Sequence, residues 1–218
     1  MRNRFDQQLH HLDEQLTHMG ELCEIAISKV TQALKEGSAG QARIVVAEDE
    51  EIDQMEKEIE RLCLKLLLQQ QPVARDLRQI SAALKMITDM ERIGDQAEDI
   101  AEIVAFLDGR QAENDALLKE MAKAVIQMVT ESVDAYVKCD IMLAKKVIAA
   151  DDVVDEQFAR VKQSLIGKIA ADPADGEYAL DLLMIAKYYE RIGDHATNIA
   201  EWVIYSVTGT HKDEITLT

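Results

Sequence analysis

Carboxylates four residues apart on a helix share a face, and this chain repeats that arrangement. Glu91 and Asp95 open the stretch ERIGDQAEDIAEIV, which also carries Glu98 and Glu102. At 100° per residue these four acids fall within about 60° of arc. Glu190 and Asp194 open a second stretch, ERIGDHATNIAEWV, with Glu201 further on and Thr197 where the first has Glu98. Two other segments supply pairs one turn apart, Asp49 with Asp53 and Asp151 with Asp155. Like charges at i,i+4 destabilise a helix by about 0.2–0.5 kcal/mol per pair. Setting them on neighbouring helices raises that cost unless a cation neutralises them. Helical bundles build metal sites from carboxylates on facing helices. Such hard oxygen ligands suit Mg, Mn, Ca or Fe, and Zn is also accommodated. The competing interpretation is a solvated acidic face on an acidic protein, and the residues alone leave both open.

The elements that must position these acids are helices. Ala, Leu, Glu, Lys and Gln dominate the 218 residues, only 2 prolines and 9 glycines interrupt them, and β-branched or aromatic runs are missing. Breaks near Gly37–Gly40, Gln71-Pro72, Asp108–Arg110, Lys138–Asp140 and Ala171–Gly176 divide the chain into six long helices. Pro72 and Pro173 are placed where helices begin. In the second predicted helix Ile52, Met55, Ile59, Leu62 and Leu66 form one apolar stripe. In the third, Ala83, Met86, Met90, Ile93, Ala97, Ile100 and Val104 form another, on the side opposite the acids. Leu77, Ile80, Leu84 and Ile87 add a second apolar face to its first half, expected to meet a neighbouring helix, the other half of the chain or a partner subunit.

The chain also repeats itself. The two ERIGD stretches are identical at 10 of 14 positions, and AEDEEID ending at Asp53 matches AADDVVD ending at Asp155. The reading is all-α: two tandem repeats of a three-helix antiparallel bundle, repeat one covering 1–109 and repeat two 110–218. A glycine inside a helix costs about 1 kcal/mol against alanine. Finding one at the same place in both ERIGD motifs therefore implies close helix approach, a packing reason that requires no ligand.

Other chemistries find little support. The chain contains no Gly-rich phosphate loop, GxSxG or HExxH. Di-iron bundles use Glu-x-x-His pairs, and none occurs. His11, Glu14 and His18 share a face that reads as solvated, and His195 beside Asp194 is at most an accessory ligand. A carboxylate-only site without a poised base or nucleophile points to binding rather than catalysis. The net charge of −17 opposes nucleic acid and anionic membrane surfaces. No stretch approaches the roughly 20 apolar residues of a membrane span, and the first residues lack the apolar core of a signal peptide. Cys23, Cys63 and Cys139, an odd and widely spaced set, fit buried thiols in a reducing compartment. A cytoplasmic protein is expected.

Taken together, QPVARDLRQI from Gln71, the two ERIGD motifs, the two D-x-x-x-D segments and the duplicated three-helix plan resemble the PhoU family, bacterial regulators of phosphate uptake and signalling. The resemblance covers nearly the whole chain. It implies paired three-helix bundles, often dimeric, with acidic motifs that hold metal ions or multinuclear clusters (Mg, Mn, Fe or Zn). It places one metal site at Asp49, Asp53, Glu91 and Asp95, and the other at Asp151, Asp155, Glu190 and Asp194. Thr197 and Asn198, standing where repeat one has Glu98 and Asp99, weaken the second. The resemblance further implies a non-enzymatic negative regulator that contacts the ATPase of the phosphate ABC transporter and the phosphate-sensing histidine kinase. A carboxylate-bridged metal store or redox bundle is the alternative.

Overall fold

In the computed structural model, residues 2–70, 72–107, 109 and 116–210 are described. Six helices account for almost all of them: α1 (Arg2–Glu36), α2 (Ala39–Gln70), α3 (Ala74–Phe106), α4 (Ala116–Lys138), α5 (Ile141–Ala171) and α6 (Gly176–Thr208). A single 3-10 turn, Pro173–Asp175, leads into α6. The predicted repeats are thus α1–α3 and α4–α6. The expected boundary after residue 109 abuts residues 110–115, which lie outside the described ones.

The hairpin turns explain where the helices stop. At the end of α1, Gly37 takes a left-handed φ of 62° and the Ser38 N–H reaches back to the Ala33 carbonyl at 3.0 Å. Cys139 does the same after α4, with φ 51° and the Asp140 N–H on Ala135 at 2.8 Å. This is the closure in which the chain reverses through one left-handed residue. Asp140 then caps α5, its carboxylate accepting from the N–H groups of Met142 and Leu143. Pro72 stands just before α3, two residues ahead of its first helical residue, and Pro173 opens the 3-10 turn rather than α6 itself. Cys139 corrects one expectation: Cys23 and Cys63 are buried thiols, but Cys139 is exposed because it occupies the turn.

Packing makes the two repeats share one core. α1, α3, α6 and α4 form a central ring of four helices, with α2 laid against α1 and α3, and α5 against α4 and α6. The Met-rich stripe of α3 is buried along its whole length, from Ala83 to Val104. Of the second apolar face, Ile80 and Ile87 are buried, whereas Leu77 is 47% exposed. α3 runs antiparallel to α6, so the register puts Asp89 opposite His195 and Asn198, and Arg78 opposite Ser206. The other seam joins α1 to α4, where Gly20 admits Val133: a Cβ there would lie 2.9 Å from Val133 Cγ2. Buried Tyr136 and Tyr189 bridge the repeats, donating to the Gln79 carbonyl at 3.1 Å and sharing a hydrogen bond with Thr31 at 2.8 Å. No helix among the described residues is long and apolar enough to cross a membrane.

Candidate metal centres

The first acidic cluster is assembled by α2 lying on α3. Gly94 is buried at the contact, and Asp49 fills the space its missing side chain leaves. A Cβ at Gly94 would be 2.7 Å from Asp49 Oδ1 and 3.0 Å from Ile52 Cδ1. The close approach expected from the glycine is therefore an approach of a carboxylate as well as of a helix. Oxygens of Asp49, Asp95 and Glu98 lie within 4.8 Å of one another. Burial, then the charges of Glu98, Asp95, Asp53 and Glu91, push the Asp49 carboxyl up to about 7. Glu91 and Glu98 are raised as well, first by burial and then by neighbouring acids. Two cations on the rim answer part of this charge: Arg92 lies 3.0 Å from Asp95 and 3.5 Å from Glu91, and Lys57 lies 3.5 Å from Asp53.

The second cluster repeats the plan on α5 and α6. Asp151 Oδ1 lies 3.4 Å from where a Gly193 Cβ would be. That oxygen is buried and has no hydrogen-bond partner. Burial, then Asp194, Asp155, Glu190 and Asp152, raise the Asp151 carboxyl to about 6. Asp194 is raised by burial and Glu190, with Lys187 acting in the opposite sense. Lys187 also bonds Glu190 directly. Among the described residues, no second trio of acids comes as close as that around Asp49.

The structure places the expected site residues in two groups, one across α2 and α3 and the other across α5 and α6. Glu98 joins Asp49 and Asp95 in the tightest part of the first cluster, whereas Asp53 and Glu91 act on it through their charge. The sequence did carry the signal for Glu98, which shares the arc of Glu91 and Asp95. His195 is oriented from across the repeat seam: its Nδ1 lies 2.9 Å from Asp89 on α3, and Asn198 donates to the same carboxylate at 3.1 Å. His11 and His18 are exposed, each beside a glutamate on α1.

A hard cation fits what is present. The donor sets are all oxygen, as Mg, Mn or Ca prefer. The orphaned Asp151 oxygen and the crowding at Asp49 are both relieved by positive charge. By size and position, a cation at either site would tie an outer helix to the central ring.

Comparison with known proteins agrees with this duplicated architecture. The PhoU domain matches the chain twice, over residues 16–104 and 118–203. A Clostridium acetobutylicum protein described as a phosphate-specific transport system accessory protein, PhoU homolog, is 36% identical over 216 residues, covering 97% of this chain and 98% of its own. A homolog of the same description from Aquifex aeolicus is 38% identical over 189 residues, or 84% of each chain. The crystal structure of PhoU from Pseudomonas aeruginosa superposes with a TM-score of 0.88 at 35% identity, covering 94% of this chain and 100% of that one. The phosphate transport system regulatory protein PhoU from Streptococcus pneumoniae also gives 0.88, at 27% identity, over 95% and 98%. With a duplicated domain match spanning most of its length and near full-length relatives, the chain belongs to the PhoU family.

Proposed function

We propose that this protein is a non-enzymatic accessory and regulator of phosphate-specific transport. It restrains phosphate uptake and the phosphate-starvation response when phosphate is plentiful. The observation that carries this reading is the near end-to-end match to proteins described as accessory to phosphate-specific transport. In this reading the protein works on the cytoplasmic side, as a homodimer. It links the ATPase of the phosphate ABC transporter to the phosphate-sensing histidine kinase. Asp49, Asp53, Glu91 and Asp95, together with Glu98, hold one cation site, and Asp151, Asp155, Glu190 and Asp194 hold the other. When bound, the cation supplies charge neutralisation and a bridge from the outer helix to the central ring. The lack of any Glu-x-x-His pair supports a cation-holding regulator over a di-iron redox bundle.

Deleting the gene tests the regulatory role. Phosphate-starvation genes should be derepressed in phosphate-rich medium and silenced again by the wild-type gene supplied in trans. Unchanged expression in the deletion strain would refute the reading.

A further inference from the structure

The two repeats are superposable as folds but not as charge distributions. Matching the D-x-x-x-D segments pairs Glu56 of α2 with Phe158 of α5, and matching the ERIGD motifs pairs Thr88 of α3 with Lys187 of α6. In repeat one the Thr88 hydroxyl favours the charged form of Glu56, and Glu56 adds its charge to Glu91. In repeat two that acid is an aromatic ring and that hydroxyl is an ammonium. Lys187 Nζ stands 5.6 Å from the centre of the Phe158 ring and bonds Glu190, whose side chain is only 13% exposed. An ammonium over an aromatic face is held by the ring's quadrupole. Thr197 completes the difference: its hydroxyl, buried and without a partner, stands where repeat one has Glu98. Repeat two has therefore exchanged two carboxylates for a ring and a hydroxyl, and gained a lysine fixed to its inner glutamate.

Granted that both clusters are cation sites, we infer that they are unequal, and that Lys187, seated on Phe158, is a built-in counter-ion that competes with metal at the second site. The first cluster brings three carboxylates within reach of one ion and leaves its cations, Arg92 and Lys57, on the rim with side chains 55% and 52% exposed, against 43% for Lys187, and neither of the two is bonded to a glutamate as buried as Glu190. The second cluster satisfies Glu190 without metal. An incoming divalent ion there must displace Lys187 or share Glu190 and Asp194 with it, and repulsion between cations a few ångströms apart weakens binding. The arrangement gives the protein one site that stays loaded and one that fills only when the cation is abundant.

The test is calorimetric titration of chelator-stripped, full-length protein with Mn²⁺. Wild type should bind in two steps, the first at least about tenfold tighter. Asp95→Ala should remove the tight step and Asp194→Ala the weak one. Lys187→Thr should strengthen the weak step by about tenfold, while Lys187→Arg should leave it weak. Thr88→Lys, which imports the lysine into repeat one, should weaken the tight step. Two equal steps in wild type, or a weak step indifferent to Lys187→Thr, would overturn the inference while leaving the cation sites standing. No Mn²⁺ uptake by wild type or any variant would overturn both.

Discussion

Alanine at the two ERIGD glycines should have unequal effects. At an ordinary helical position, Gly→Ala stabilises by about 1 kcal/mol through helix propensity and a less disordered unfolded chain. At Gly193 the new methyl would meet Asp151 Oδ1 at 3.4 Å and Val154 Cγ1 at 3.5 Å, close to ordinary contact. Gly193→Ala should therefore keep most of that gain. At Gly94 the methyl would lie 2.7 Å from Asp49 Oδ1 and 3.0 Å from Ile52 Cδ1. Those contacts are well inside the roughly 3.5–4.0 Å of favourable packing. Asp49 has a short side chain and Ile52 is core, so relief means moving α2 or turning the carboxylate out of its cluster. Overpacking of this kind costs about 1–3 kcal/mol. Gly94→Ala should be neutral to about 2 kcal/mol destabilising, and should also weaken Mn²⁺ binding at the first site. The assay is a thermal melt of chelator-stripped protein, where chains of this size shift by about 2–4 °C per kcal/mol. Equal stabilisation by both substitutions would show that Asp49 does not rest on Gly94 and would refute the reasoning.

Three further outcomes are expected. The metal-free protein should be more stable near pH 5 than near pH 8, because Asp49, Asp151 and Asp13 are protonated more readily folded than unfolded. Their contribution is complete below about pH 4 and is lost as the pH rises through 6 to 7. Urea melts across this range should show it, and saturating Mn²⁺ should restore stability at the upper end. Native protein should react with a thiol reagent quickly at exposed Cys139, and at buried Cys23 and Cys63 only on unfolding. Burial, which raises the Cys63 thiol to about 12, slows those two further. Cys139→Gly should raise the urea midpoint by an amount equivalent to about 0.5–1 kcal/mol, since a left-handed turn residue carrying a side chain is strained by roughly 1–2 kcal/mol.

Much of this architecture is legible in the sequence because it is local. Helix-forming composition, the breaks at Gly37 and Lys138–Asp140, and the duplicated ERIGD motif each act within a few residues, and the helices end where those signals fall. The buried stripe of α3 follows from its 3.6-residue period. What escapes depends on how one helix is set against another. Nothing near His195 reveals that its partner is Asp89, because only the antiparallel register of α3 against α6 brings them together. Gly94 announces close approach, but that the visitor is the Asp49 carboxylate depends on how α2 is turned about its own axis. Leu77 matches the apolar pattern of Ile80 and Ile87 yet lies exposed near the start of α3. The break at Lys138–Asp140 already sets Cys139 at a turn, which argues against a buried thiol there; what the sequence does not carry is its left-handed φ of 51°.

The central claim is that the acidic clusters hold cations, and its most direct test is metal analysis of the purified protein. The protein should be prepared without chelator or affinity-tag metal and assayed per chain beside Asp49→Asn and the Asp95→Ala/Asp194→Ala double variant. Wild type should carry about one divalent ion or more per chain. Asp49→Asn should lose most of the tightly held metal, and the double variant essentially all of it while remaining helical. Wild-type protein that is metal-free and refuses loading, or a double variant that keeps its full complement, would return these carboxylates to the role of a solvated acidic face.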